Sequence, residues 1–495
     1  MTTADSSSHE RGGFVTSRYN FAVPAVETAV VFNALHGSAV RLGGARALAD
    51  ALAEPGVEVS EEDLPPALFL ELVRSRVVVS ADTDELAIVA ERFHRARADA
   101  AIVVTVTTTM DCNLGCYYCY EDRSGAALDS ANGDVDALVA LVSATLARSG
   151  KRSLHVDWYG GEPLLNLAFL EEASRQLQAL CAERGVTYRA SIISNGTVWP
   201  EDVGGFVARH RIGHAQVTFD GLRANHDRRR HYRREYRTGD DRPSSFDRIV
   251  ELLDRLPDHC RVDLRCNVDS GNADDFVELV RFARERGWFD RRYPVAIQPA
   301  RLMKFSDHSS FMRDVALEPS AFEAVRQRIE AAAPAHVEVQ NTCAPDGFPV
   351  PRTTVCAALA RDSVVVGAEG ALYRCGLQVG EASRQVGKLP RRRHLPVVES
   401  AGDHAFWASF DPTRQPRCHA CSFLPVCWSG CPKNHLEGDT AAIREQGAYW
   451  RANLARLVAT GLGLTLDGEV VYDHAQQFPD GEPAAYDSSS AGSAP

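Results

Sequence analysis

From Ile102 to Pro299 the chain alternates strand-like apolar runs with longer segments whose apolar residues recur at helical spacing. The strand-like runs are Ile102–Val106, Leu154–Trp158, Ala190–Ile193, Ala215–Phe219, Val262–Val268 and Val295–Pro299. Between them lie Val135–Leu146, Leu167–Ala182, Phe246–Leu256 and Asp274–Arg286. A helix's length of chain between successive strands implies parallel pairing with helical crossovers. Six such runs predict an α/β fold, an open, partial (β/α)6 TIM-like barrel over 101–335.

A chain of 495 residues is too long for one ordinary core, and its flanks read differently from the barrel. Residues 1–13 and 475–495, rich in Ser, Gly, Ala, Pro and Asp, read as disordered tails. Residues 14–100 read as a small N-terminal α+β domain. Its strand-like runs Tyr19–Val23, Ala29–Phe32 and Ala39–Leu42 precede helical spacing at Ala45–Leu52 and Leu68–Val73. Residues 336–445 hold a cysteine-rich domain, followed by a helix and strand over 446–474. A net charge of −12 argues against a nucleic-acid partner. No apolar stretch is long enough to span a bilayer and the polar start lacks a secretory pattern, so no membrane is expected and the expected address is cytoplasmic.

Cysteine narrows the chemistry, because seven of the 13 stand in two tight groups. In a cytoplasmic protein such groups bind metal or do redox chemistry more often than they form disulfides. Cys112, Cys116 and Cys119 follow directly on the first barrel strand. Three thiolates at this spacing can wrap one cubane iron–sulfur cluster, with Gly115 easing the backbone curl and one iron left without a protein ligand. The alternative is zinc, which asks for a fourth Cys or His, and none follows within the next 30 residues.

This loop resembles the signature of the radical S-adenosylmethionine (SAM) superfamily. The resemblance implies that SAM chelates the open iron through its amino and carboxylate groups. One electron from the cluster, delivered by a flavodoxin- or ferredoxin-type donor, would then cleave SAM to a 5′-deoxyadenosyl radical that takes hydrogen from substrate. By the same resemblance Tyr118 lies beside the adenine, and Gly160, Gly161 and Glu162 of the Gly-Gly-Glu-Pro turn hold the SAM amino group. Ser194 and Asn195 border the ribose, and Thr218 and Arg230 bind the carboxylate. Without the family, Gly160–Pro163 reads as an ordinary turn, Ser194–Gly196 as a polar turn and Arg230 as one solvated charge in the run Arg228–Arg230. Arg265 and Asn267 share one face of the fifth strand, for SAM contact or for a structural polar network.

The second group is Cys418, Cys421, Cys427 and Cys431, preceded by Cys356 and Cys375. The tight four alone would suit a zinc knuckle. With the two upstream cysteines the segment resembles the SPASM domain, whose members carry auxiliary [4Fe–4S] clusters. Carried over, Cys356, Cys375 and Cys431 would serve one auxiliary cluster, and Cys418, Cys421 and Cys427 a second. The family's last cysteine is absent beyond Cys431, which leaves the second cluster's fourth ligand open, with His435 as one candidate. Cys343 either completes the first cluster or is a free buried thiol. Cys181, Cys260 and Cys266 sit in helix- or strand-like runs and read as core.

The resemblance covers roughly residues 101–435 and points to enzymes that modify peptides. The reading it favours is maturation of a ribosomally made precursor peptide by cross-linking or oxidation. Residues 14–100 would then either capture the peptide by adding a strand or serve as a helper domain that covers the barrel. The alternative is an anaerobic sulfatase-maturating enzyme, which makes formylglycine. In that family an Asp acting as base follows the cysteine that matches Cys375, and here the position is Gly376. A non-catalytic iron–sulfur electron-transfer protein is a third reading, and it has no need of Gly160–Pro163 or Arg230.

Overall fold

The computed structural model describes residues 13–121, 124–237, 243–303, 314–340, 347–389 and 403–473. Contacts divide the chain into two units, one of 99–344 with 356–408 and the other of 1–98 with 345–355 and 409–495.

The first unit is an α/β barrel segment. Strands Ile102–Thr107, Ser153–Tyr159, Thr187–Ser194, Ile212–Thr218, Arg261–Val268 and Ala296–Arg301 pair in chain order, every pair parallel. Alternation decides which side chains face the helices. Leu154, Val156 and Trp158 are buried with Ile102, Val104 and Val106, whereas His155, Asp157 and Thr105 point the other way and hydrogen-bond across strands. The covering helices are Asp134–Ser149, Leu167–Glu183, Val203–His210, Ser245–Leu253 and Asp275–Glu285. Beyond the first barrel strand the sheet continues through Val364–Val366, parallel to it, then antiparallel Ala371–Tyr373 and Gly387–Lys388. The segment carrying Cys356 and Cys375 therefore belongs to the barrel unit.

In the second unit, strands Asn20–Pro24, Ala29–Asn33 and Ser38–Arg41 form an antiparallel sheet, and Phe14–Thr16 pairs with Glu58–Val59 and Val78–Ser80. Helices Arg46–Ala53, Pro66–Arg74 and Glu85–Asp99 complete the N-terminal part. Its aromatic residues pack on the chain's last third. Phe21 meets Phe423 at 4.6 Å and Tyr472 at 5.1 Å between ring centres, and Phe93 meets Trp428 at 5.3 Å. The contact division thus differs from the expected boundaries, since 14–98 share a core with 409–473. The C-terminal helix also starts earlier, at Thr440, capped by the Asp439 carboxylate. Only a single bridge, Leu466 to Ala25, stands where a final strand was expected among the described residues. The tails at 1–12 and 474–495 lie outside the described residues. Among the described residues no helix is long and apolar enough to cross a membrane.

Candidate active site

The first cysteine loop leaves the C-terminal end of strand Ile102–Thr107 and is clamped from two sides. On one side the Gly161 and Glu162 N–H groups donate to Thr109 O at 2.9 Å and Asp111 O at 2.8 Å. A Cβ on Gly160 would stand 2.3 Å from Thr109 O, and one on Gly161 2.3 Å from Asp111 O. The two glycines are therefore required by close approach to the stem of the cysteine loop, a structural reason that the sequence did not disclose. On the other side Leu114 bridges Tyr232, Gly115 N–H donates to His231 O at 2.7 Å, and Arg233 N–H donates to Asn113 O at 3.0 Å. Arg233 Nη1 adds bonds to Asp111 Oδ1 at 2.7 Å and Cys112 O at 3.0 Å.

Cys112, Cys116 and Cys119 stand outside any disulfide and pack with Leu114, Tyr118, Tyr232 and Leu302. Burial, with the nearby charges of Cys116 and Glu162, pushes the Cys112 thiol up to about 12. Thiolates gathered here repel one another unless cations lie among them, and that is what an iron–sulfur cluster provides. Among the described residues no group of three or more His, Cys, Asp or Glu side chains converges on a single metal ion. A cubane does not ask for that, because each thiolate meets a different iron, whereas one zinc draws its ligands into a tetrahedron.

Glu162 is fully buried and joins the ends of two strands. It accepts from Leu164 N–H at 3.2 Å, Ser194 Oγ at 3.0 Å and Asn195 N–H at 2.6 Å. Burial raises its carboxyl to about 7, against the pull of these donors. Asn195 Nδ2 continues to Asn113 Oδ1 at 2.7 Å, whose amide reaches Thr197 Oγ1 at 2.8 Å. The Glu162, Ser194 and Asn195 side chains thus form one hydrogen-bonded bracket under the cysteine loop. Glu162→Ala strands three buried donors at about 1–3 kcal/mol each. We expect a fall in melting temperature of roughly 10 °C or more, read by calorimetry, with the chain still folded at low temperature.

Arg230 is 4% exposed and not a solvated member of its run. Its Nη1 donates to Tyr118 Oη at 2.6 Å, and its buried Nε has no hydrogen-bond partner. Burial works against its charge, but Cys116, Tyr118 and Asp220 outweigh it and hold the guanidinium firmly protonated. The Tyr118 hydroxyl donates to the Asp220 carboxylate and accepts from Asn267 Nδ2 at 3.2 Å. Arg229, also buried, donates to Asp269 Oδ2 at 2.8 Å. Thr218 ends its strand in register with Arg265. Arg265 donates to Asn267 Oδ1 and to Gln298 Oε1, both at 3.3 Å. Sequence reasoning passed over Asp220, which accepts from Tyr118 and from Asn267 N–H, and Asn113. Their signal was polarity next to motif residues.

The barrel interior holds a further cluster that was missed. His155 Nε2 lies 3.0 Å from Asp157 Oδ1 and 3.1 Å from Ser191 Oγ, and Thr105 Oγ1 reaches Asp157 Oδ2 at 3.4 Å. Burial opposes the Asp157 charge, but hydrogen bonds from His155 and Ser191 hold its carboxyl below the usual range. The signal was present in the strand Leu154–Trp158, where His155 and Asp157 alternate with buried apolar residues.

Of the remaining cysteines, Cys356 is exposed and Cys375 partly buried, both in the barrel unit. Cys418, Cys421, Cys427 and Cys431 lie in the other unit, on and between the short helices Pro416–His419, Leu424–Cys427 and Pro432–Leu436. Burial, then the charge of Cys418, pushes the Cys427 thiol up to about 12, and Cys418 and Cys427 act likewise on Cys421. Trp428 and Ser429 turn the chain with positive φ, and Ser429 Oγ reaches Cys418 Sγ at 2.8 Å. His435 Nε2 lies 2.9 Å from Ser429 O, so that nitrogen donates to a carbonyl and is taken, which weighs against the ring as an iron ligand through it. Cys343 lies outside the described residues. Cys181, Cys260 and Cys266 are buried core thiols.

Comparison with known proteins agrees with this geometry. Residues 106–283 match the Radical SAM superfamily. A serine-type anaerobic sulfatase-maturating enzyme of Klebsiella pneumoniae is 24% identical over 69% of this chain and 83% of its own length. That of Klebsiella aerogenes is 24% identical over 69% and 81%. Among solved structures, native anSMEcpe with bound AdoMet and Cp18Cys peptide matches with a TM-score of 0.52 at 14% identity, over 74% of this chain and all of that one.

Proposed function

We propose that this chain, a radical SAM enzyme by the domain it carries at 106–283, matures a peptide by hydrogen abstraction, leaving a cross-link or an oxidised residue. Enzymes of this kind work with a [4Fe–4S] cluster and SAM, and the residues here suit both. Cys112, Cys116 and Cys119 would hold the cluster. For SAM, Gly160–Glu162 would take the amino group, Ser194 and Asn195 the ribose side, and Tyr118 the adenine. Arg230, with an unpartnered buried Nε, and Thr218 suit the carboxylate. Bound together, the two cofactors supply removal of a hydrogen atom from an unactivated carbon. The chain's own residues orient the substrate, and the His155–Asp157 pair in the barrel interior can hold a proton leaving it. Cys418, Cys421 and Cys427, within one unit, would hold an auxiliary cluster. A flavodoxin- or ferredoxin-type donor would supply electrons.

The observation that carries cross-linking or oxidation over formylglycine formation is Gly376. A Cβ built there meets no atom within 4 Å, so packing does not demand glycine, and the position has no side chain to take a proton. The second reading, a sulfatase-maturating enzyme, is favoured by the two Klebsiella relatives. A peptide substrate is supported by the anSMEcpe complex with its peptide, whose fold this chain shares. The test is to incubate enzyme, SAM and reductant with a ribosomal precursor peptide and, separately, with a sulfatase-type peptide. Loss of hydrogens from the precursor, a block in tandem-mass-spectrometric fragmentation, and deuterium from the target carbon in 5′-deoxyadenosine are expected. An aldehyde at Cys or Ser of the sulfatase peptide, with the precursor unchanged, decides for the second reading.

A further inference from the structure

Strand Asn20–Pro24 and the residue before it present Tyr19, Phe21 and Val23 on one face, at the two-residue period of extended chain. That face meets the second cysteine group within its own unit. Phe21 packs on Phe423 at 4.6 Å, and the Arg18 guanidinium donates to His419 O. Arg18 and Phe21, on either side of Tyr19, contact His419 and Phe423, on either side of Cys421, so the Tyr19 and Cys421 segments run beside one another.

Tyr19 is 0% exposed, and its hydroxyl is buried with no hydrogen-bond partner. The polar groups beside it are engaged elsewhere. Ser17 Oγ donates to Glu85 and accepts from Tyr19 N–H, and Asn33 Nδ2 donates to Asn20 Oδ1 at 2.9 Å. Native interiors rarely strand such a hydroxyl, so its partner is to be sought in what the cysteines bind. A phenol carries its proton at neutral pH, so it can act as a donor. A phenol donor suits the sulfurs of an iron–sulfur cluster, whose potential rises when they accept hydrogen bonds.

We propose that the Tyr19 hydroxyl donates a hydrogen bond to a sulfur of the cluster held by Cys418, Cys421 and Cys427, and so tunes its potential from the N-terminal part of the chain. This rests on the reading that those three cysteines hold a cluster. Tyr19 is a positioning residue in this account and touches no substrate.

The experiment uses the full chain, reconstituted without oxygen. Replacing Cys418, Cys421 and Cys427 together by Ala tests the underlying reading by removing about four irons. Undiminished iron overturns that reading and the inference with it. Tyr19→Phe is expected to keep the wild-type iron content. One auxiliary cluster should become harder to reduce, with about a fivefold fall in its reduced-to-oxidised ratio at fixed potential, read by EPR-monitored titration. The wild type should show an exchangeable proton coupled to that cluster by ENDOR, lost in deuterated buffer and absent in Tyr19→Phe. Tyr472→Phe is the control on the same aromatic patch, because that hydroxyl is occupied by Ala22 O at 2.9 Å. Full iron content with an unchanged potential and proton coupling in Tyr19→Phe overturns the inference while leaving the cluster in place. Equal shifts in both variants overturn it too, because the effect would then belong to packing.

Discussion

Replacing Cys112, Cys116 and Cys119 together by Ala will remove about four of roughly eight to twelve irons per chain and abolish SAM cleavage. The loop is clamped through its backbone by Gly161, Glu162, His231 and Arg233. The triple variant should therefore keep the fold and lose only the metal. Iron analysis, SAM cleavage by chromatography and circular dichroism read the three quantities separately. Zinc in the wild type, or cleavage that survives in the variant, would sink the cluster assignment.

The second large effect concerns Arg230. Arg230→Lys retains a positive charge near Cys116 and Asp220 but removes the planar fork that pairs with a carboxylate, along with the Nε that has no partner inside the protein. If that fork holds the SAM carboxylate, the lysine variant keeps its irons, and its Kd for SAM rises about 10- to 100-fold, the worth of a hydrogen bond to a charged group. A merely structural Arg230 would instead show lowered stability and unchanged SAM affinity. Equilibrium binding and thermal unfolding of the one variant separate the two outcomes.

The barrel was legible because its strands are sequential neighbours, and each apolar run is short and bounded. Helix Val203–His210 was not, since Gly204 and Gly205 blur its periodicity; the Asp202 cap on Gly205 N–H at 2.8 Å supports it instead. At the site, cysteine spacing and motif order carried most of the reading. The burial of Arg229 and Arg230 could not be read from a run of three arginines, because it depends on Asp220 and Asp269 arriving from other loops. The alternation of His155 and Asp157 with apolar residues was visible in their strand, but Ser191 joins them only when separate strands stand in register. The shared core of the N-terminal part with residues 409–473 left no local trace in either segment.

That shared core sets an order of events during synthesis. Ala22 accepts from Tyr472, 450 residues later in the chain, and the strand's aromatic face has no cover until that stretch has been made. At ribosomal rates of about 5–20 residues per second the early sheet waits on the order of 20–90 s with Phe21 unburied. The local core from Ala29 to Val78 and the barrel strands, each beside its sequence neighbour, can close in that interval, so the aromatic face at Phe21 is covered last. The nascent N-terminal segment is then the one most exposed to chaperones and to aggregation.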